Sequence, residues 1–189
     1  MSRSRFRSST SLVAAAAVAL AAAGCGDDGD PGTCGPGDAP ADGIMLSGAE
    51  HTVAYGSFSA SHNGDCGSRE LSLTISATQV GGTGLLTLCV PRPDLITGPA
   101  TIGADLDQAA AVWVIDVQGE STGCAVRNDG AGPAPQGSAT FEGLCDQGKS
   151  PAGFALQVAA QIAVTITCGD AVDQASLQLS GRVAVTAAD

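Results

Sequence analysis

Gly119-Glu120-Ser121-Thr122-Gly123 matches G-x-S-x-G, the pattern that presents a nucleophilic serine on a sharp turn between a strand and a helix. The chemistry would be acyl transfer. A base takes the hydroxyl proton, the oxygen attacks a carbonyl, and a third group orients the base. The base would be an imidazole, and the chain has two, His51 and His62. Both precede Ser121, whereas the histidine of such an elbow follows its serine. The segment after Ser121 is broken by Asn128-Asp129-Gly130 and Gly132-Pro133, so no helix of useful length fits. The histidines are 11 residues apart and would face opposite sides of one uninterrupted strand. A turn between strands is therefore the expected structure around Ser121, and no catalytic residue is assigned.

Other candidate sites fare no better. Gly81-Gly82-Thr83-Gly84 lacks the Lys-Ser/Thr of a phosphate-binding loop and leads into Leu85-Leu86-Thr87-Leu88, which reads as a strand. Asp105-Leu106-Asp107 offers two carboxylates to calcium without visible companions, and reads as a solvated loop. Asp28-Gly29-Asp30 is followed by Pro31, and no Glu closes a calcium loop there. No metal and no cofactor is expected. Composition narrows the classes further. Eight Lys and Arg against 19 Asp and Glu give a net charge of −11, which repels nucleic-acid phosphates rather than displacing their counterions. Aromatic residues at 3% are too few for base-stacking platforms or an aromatic sugar groove. Hydrophobic residues at 44% with charged residues at 14% exclude a highly charged disordered chain.

The N-terminus carries a different kind of chemistry. Arg3, Arg5 and Arg7 precede an apolar run from Leu12 to Ala23, which is well short of the ~20 residues that cross a bilayer as a helix. A basic start, a short apolar run and small residues at its end make a secretory signal peptide. The run ends in Ala22-Ala23-Gly24-Cys25. This end resembles the lipobox of bacterial lipoproteins, a family that prefers Leu where this chain has Ala22. The resemblance covers the leader only. It implies that Cys25 takes a diacylglyceryl group on its thiol, becomes the first residue after cleavage, and anchors the chain to a membrane through palmitate-type acyl chains. The alternative is ordinary cleavage after Ala21-Ala22-Ala23, which would release a soluble chain beginning at Gly24. Loss of the three leader arginines leaves the mature chain more acidic still, so attachment would rest on acyl chains and not on a basic patch. The expected location is the cell envelope, facing the periplasm or the cell surface.

The expected organisation is a signal peptide over 1–24, a lipidated N-terminus and acidic Gly/Pro tether over 25–43, and a β domain over 44–189. The tether contains Asp27, Asp28, Asp30, Asp38 and Asp42 and no Lys or Arg. It cannot bury enough apolar surface to offset its ordering entropy. As a Gly-rich coil it would span about 25 Å. Setting Cys25 aside leaves six cysteines, Cys34, Cys66, Cys89, Cys124, Cys145 and Cys168. An even number in an exported domain is expected to form disulfides, with 15 connectivities open. Cys124 and Cys145 flank what reads as one hairpin connection, which favours that pair. They are also the nearest two, 21 residues apart, so the close spacing of zinc or iron–sulfur ligands is absent.

The elements that would position these residues are strands. Leu71-Ser72-Leu73-Thr74-Ile75-Ser76-Ala77-Thr78 alternates apolar and hydroxyl residues, the mark of a half-buried strand. Leu177, Leu179, Val183 and Val185 form another inner row, with Gln178, Ser180 and Arg182 opposite. Ala139 and Phe141 face in. Ala111, Trp113, Ile115 and Val117 make a further row, and Val112 and Val114 mark that strand as central. Tyr55 and Phe58 fall on opposite faces unless Gly56 marks a bulge. Residues 154–168 fit both a strand and a helix face. The unbroken alternation from Phe154 to Ile166 favours a strand, with a bend or break near Ala159-Ala160 because a strand that long exceeds the usual length. Eight or nine such runs, separated by Gly, Pro and Asn-Asp turns, predict an all-β fold: an antiparallel β-sandwich, with a closed barrel as the alternative. Arg69 and Arg182 are expected to blunt its edges. Function reads as a non-catalytic structural or binding role in the envelope. The alternatives are a small-ligand or calcium-binding module and a hydrolase combining Ser121 with His51 or His62.

Overall fold

The computed structural model describes residues 34–41, 43–103 and 110–187. Cys25, the leader, most of the tether and Asp105-Leu106-Asp107 lie outside the described residues.

Ten strands and no α-helix occur among the described residues. In chain order they are β1 (Ile44–Gly48), β2 (His51–His62), β3 (Leu73–Gln79), β4 (Leu85–Val90), β5 (Ala100–Ile102), β6 (Ala111–Ser121), β7 (Cys124–Arg127), β8 (Gln136–Glu142), β9 (Phe154–Cys168) and β10 (Ala171–Ala187). The fold is an all-β sandwich. Its pairings are antiparallel except for two short parallel contacts, β2 with β10 and β5 with β6. Each strand is paired on both sides along part of its length. That pairing protects the edges; Arg182 instead makes an ion pair with Glu142 at 2.8 Å.

The alternation read from the sequence becomes one core. Leu73, Ile75, Leu177, Leu179, Val183 and Val185 are fully buried, and Ala139 is 1% exposed. Removing each large aliphatic side chain from water contributes about 1.5–3 kcal/mol. Few aromatics join them. Phe154 is fully buried and its ring lies 5.9 Å from that of Phe141.

Segment 154–168 is a single strand, and the expected break at Ala159-Ala160 is absent. Fifteen consecutive residues pair with β10 without a register shift, from Cys168 opposite Ala171 to Phe154 opposite Val185. Length is tolerated because β9 is flanked throughout by the still longer β10, and on its other side by β8 and then β7. Gly169 supplies the positive φ, +59°, that the two-residue turn to β10 requires.

Two bulges change which residues face inward. The β2–β3 register slips between Gly56 and Ser59, with Ser57 at φ +54°. The extra residue puts both Tyr55 and Phe58 in the core. It also aligns His51 with Val53 and Tyr55, and His62 with Phe58 and Ala60, so the histidines share a face. The second bulge corrects the row expected in β6. Leu88 pairs with Val114 and Thr87 with Asp116, so Ile115 is the unpaired extra residue and is 43% exposed. Ala111, Val112 and Val117 are buried, and Trp113 and Val114 are partly so. The central placement of β6, between β4 and β5 or β7, agrees with its two apolar faces.

The six cysteines form three disulfides, Cys34–Cys145, Cys66–Cys89 and Cys124–Cys168. Cys124 therefore does not pair with Cys145. β7 and β8 are not neighbours: both pair with β9, β7 near its C-terminal end and β8 near its N-terminal half. Cys124 thus lies beside Cys168, while Cys145 is carried past the other end of a strand that extends roughly 50 Å. The bridge to Cys34 also moves the start of the folded body back from residue 44. Gly35 N donates to Gly143 O at 3.2 Å and Ala184 N to Pro40 O at 2.8 Å, so residues 34–41 are fastened to the body and are not free tether. Three bridges fit an oxidising, exported environment.

Candidate functional site

Ser121 ends β6, and Thr122-Gly123 forms a two-residue turn into β7, with φ of +52° and +78°. A strand, not a helix, follows the serine, so the backbone lacks the shape of a nucleophile elbow. Ser121 is nearly buried, and its Oγ accepts a hydrogen bond from Thr52 N at 2.9 Å. That contact brings the turn to the start of β2, next to His51. A ring nitrogen of His51 and the sulfurs of Cys124 and Cys168 lie within 4.8 Å of one another. His51 Nδ1 is buried without a hydrogen-bond partner. The sequence thus named His51, Ser121, Cys124 and Cys168 separately, and the fold brings them to one end of the molecule.

His62 lies at the other end of β2. Both its ring nitrogens are buried without a partner, as is Trp113 Nε1. Beside it, the segment from Asn63 to Ser72 is pinned by side chains. Thr74 Oγ1 donates to Asn63 Oδ1 at 2.6 Å, Ser72 Oγ donates to Asn63 O, and Cys66 is bridged to Cys89. His62 and Ser121 are not brought together.

The outer face of the β9–β10 hairpin carries a groove of about 490 Å³. Asp129, Gly132, Gln136, Gln161, Thr165 and Ser176 are among its lining residues. Its floor is set by register. Gln161 sits opposite Gln178, and Gln161 Nε2 donates to Gln178 Oε1 at 2.6 Å. Ser176 Oγ donates to Gln161 Oε1 at 2.9 Å. The rim is the Asn128-Asp129-Gly130 turn. Thr165 Oγ1 donates to Asp129 Oδ2 at 2.7 Å and Ala131 N to Asp129 Oδ1 at 3.0 Å. These bonds, that from Thr165 first, hold the Asp129 carboxyl below its usual range. Gly132 crosses directly over Ala163, where any Cβ would collide with the alanine methyl. Amides, hydroxyls and one carboxylate over apolar Ala163 and Pro133 can hydrogen-bond a small polar molecule. These groove residues were missed by motif reading. The signal was present: the Gly169-Asp170 turn fixes which polar residues of the two strands face each other.

Between the two ends of β2, Tyr55 OH donates to Gln118 O at 2.9 Å. Burial pushes the phenol above its ordinary range, and the Asp116 charge adds to the shift.

Comparison with family models, with curated proteins and with solved structures found no match to this chain.

Proposed function

We propose that this protein is an exported bacterial lipoprotein, anchored in the cell envelope through Cys25, whose disulfide-bonded β-sandwich has a non-catalytic structural or binding role. One observation carries the reading. All six cysteines after Cys25 are paired with one another, which leaves Cys25, at the end of a secretory leader, as the odd thiol. A single acyl chain holds a protein only marginally, at about 0.8 kcal/mol per buried methylene, so two or three chains at Cys25 are what fix the body to the membrane. In a bacterial host, Cys25→Ser should abolish incorporation of radiolabelled palmitate and move the protein from the membrane fraction to the soluble fraction. Labelling that persists in the variant would refute the anchor.

Within this role, the groove over β9 and β10 favours binding of a small polar molecule. Calcium is the weaker candidate there. It takes six to eight oxygens, usually with several carboxylates, and only Asp129 brings one to the groove among its described lining residues. A thermal midpoint unchanged by calcium and by chelator is the expected result, since a ligand that binds only the native state raises it.

A further inference from the structure

His51, Cys124 and Cys168 are far apart in sequence, and their ligand atoms converge within 4.8 Å because β7 pairs with β9 and the turn before Cys124 is bonded to the start of β2 through Thr52 N and Ser121 Oγ. We propose that reduction of the Cys124–Cys168 bridge opens a three-ligand metal site, in which one imidazole and two thiolates hold a borderline or soft ion such as Zn2+. The proposal concerns this chain whether or not it is lipidated.

Four observations support it. The first is that strand pairing, and not their bond alone, holds the two cysteines side by side. They extend the β7–β9 ladder beyond the Ala125–Thr167 pair, with Cα atoms 4.4 Å apart. Cys124 is also held opposite Ser121, and Cys168 opposite Ala171. The second is access. Cys168 is solvent-accessible at the end of β9, whereas Cys124 is buried. The third is the histidine. It is held by its pairing with Gly48, and its Nδ1 has no hydrogen-bond partner. The fourth is chemistry. Thiolate and imidazole are the ligands Zn2+ prefers, at about 2.3 Å and about 2.0–2.1 Å. Three protein ligands leave a fourth position for water or another donor. Around a tetrahedral ion at those lengths the ligand atoms stand about 3.5–3.8 Å apart. Once the bond is cut, the two sulfurs separate and the imidazole nitrogen and thiolates draw in from 4.8 Å, movements that side-chain rotation at the accessible Cys168 can supply.

The electrons come from a dithiol. Its thiolate attacks Cys168 Sγ, the S–S bond breaks, and Cys124 leaves as a thiolate that takes a proton. The second thiol of the reductant then displaces Cys168 as a thiol, and the reductant departs as its own disulfide. Binding of the ion releases the two thiol protons. In an oxidising compartment the bridge is closed and the site is absent, so the metal is held only where a reductant reaches the protein.

The test uses the full chain, treated with a water-soluble phosphine without denaturant, freed of phosphine under argon, and titrated with Co2+. Wild type should bind one Co2+ per chain, with thiolate-to-cobalt charge-transfer absorption and the visible bands of a tetrahedral site. His51→Gln should weaken binding by at least the roughly tenfold that loss of an outer-shell partner alone costs. Cys124→Ser/Cys168→Ser should abolish the bands. The thermal midpoint of oxidised His51→Gln, equal to wild type, separates loss of a ligand from loss of the fold. A second readout needs no variant: Zn2+ should slow alkylation of Cys124 and Cys168 in reduced wild type. Absence of the charge-transfer band, equal affinity in wild type and His51→Gln, or no protection from alkylation would overturn the proposal.

Discussion

The two ends of β2 are built from similar parts and put them to different uses. Each has a histidine with a buried, unpartnered ring nitrogen and each has a disulfide close by. At the His51 end, the bridge joins two cysteines that already face each other across a ladder, and one of them is open to solvent. At the His62 end, the bridge ties a segment without strand structure to Cys89, which is fully buried in β4. The first bridge duplicates what the hydrogen bonds already do, which leaves its sulfurs free for chemistry. The second seats a loop outside the sheet, held otherwise by side chains and by a backbone bond across its base, Asn63 N to Ser72 O at 3.3 Å. Proximity to histidine is thus not what separates a reactive bridge from a structural one; what separates them is whether the backbone holds its place without the bond.

Paired cysteine variants are the strongest way to break this comparison. Cys124→Ser/Cys168→Ser should lose about 4 kcal/mol and Cys66→Ser/Cys89→Ser about 3 kcal/mol in chemical denaturation, because the closed loops span 44 and 23 residues. Local order should follow the opposite ranking. Amides from Asn63 to Ser72 should exchange much faster in the second variant, while β7 and β9 stay protected in the first. Rapid exchange in β7 with an unchanged 63–72 segment would reverse the assignment of roles.

Tyr55 sharpens it, because it fastens the His51 half of β2 to β6. Tyr55→Phe should cost about 1–2 kcal/mol at neutral pH, from a lost hydrogen bond and an unsatisfied Gln118 carbonyl. The phenol is raised above its ordinary value of 10.0, so its contribution is complete below that pH and is lost as pH rises beyond it. Stability measured from neutral to strongly alkaline pH should therefore fall less steeply in Tyr55→Phe. The smallest effect belongs to Asp129, which ties the loop after β7 to Thr165 of β9. Its carboxyl is lowered, so its contribution is present above the ordinary carboxylate range and is lost as pH falls through its depressed value. Asp129→Asn should lower the thermal midpoint slightly at neutral pH and flatten its acid limb, so that the difference from wild type vanishes once the carboxyl is protonated.

Much of the fold was legible in the sequence because burial of one face imposes a period of two. Leu73, Ile75, Leu177 and Leu179 all face inward as their spacing requires. Failures came where the period breaks or where long-range pairing decides. Nothing in Ala111–Val117 announces that Ile115 is an extra residue; the bulge arises from fitting β6 to β4. The Cys124–Cys145 pairing failed because nearness in sequence was taken for nearness in space, and β9 keeps β7 and β8 apart. The groove was half-legible. Gln161 and Gln178 meet because a two-residue turn sets their register, whereas the approach of Gly132 to Ala163 depends on tertiary packing.

Intact mass of the mature chain, extracted from membranes and alkylated without reductant, tests the central claim most directly. The expected species begins at Cys25, carries a diacylglyceryl group, and takes up no alkylating reagent. A species that begins at Gly24 with an unmodified Cys25, or that alkylates at two or more of the other six cysteines, would contradict it.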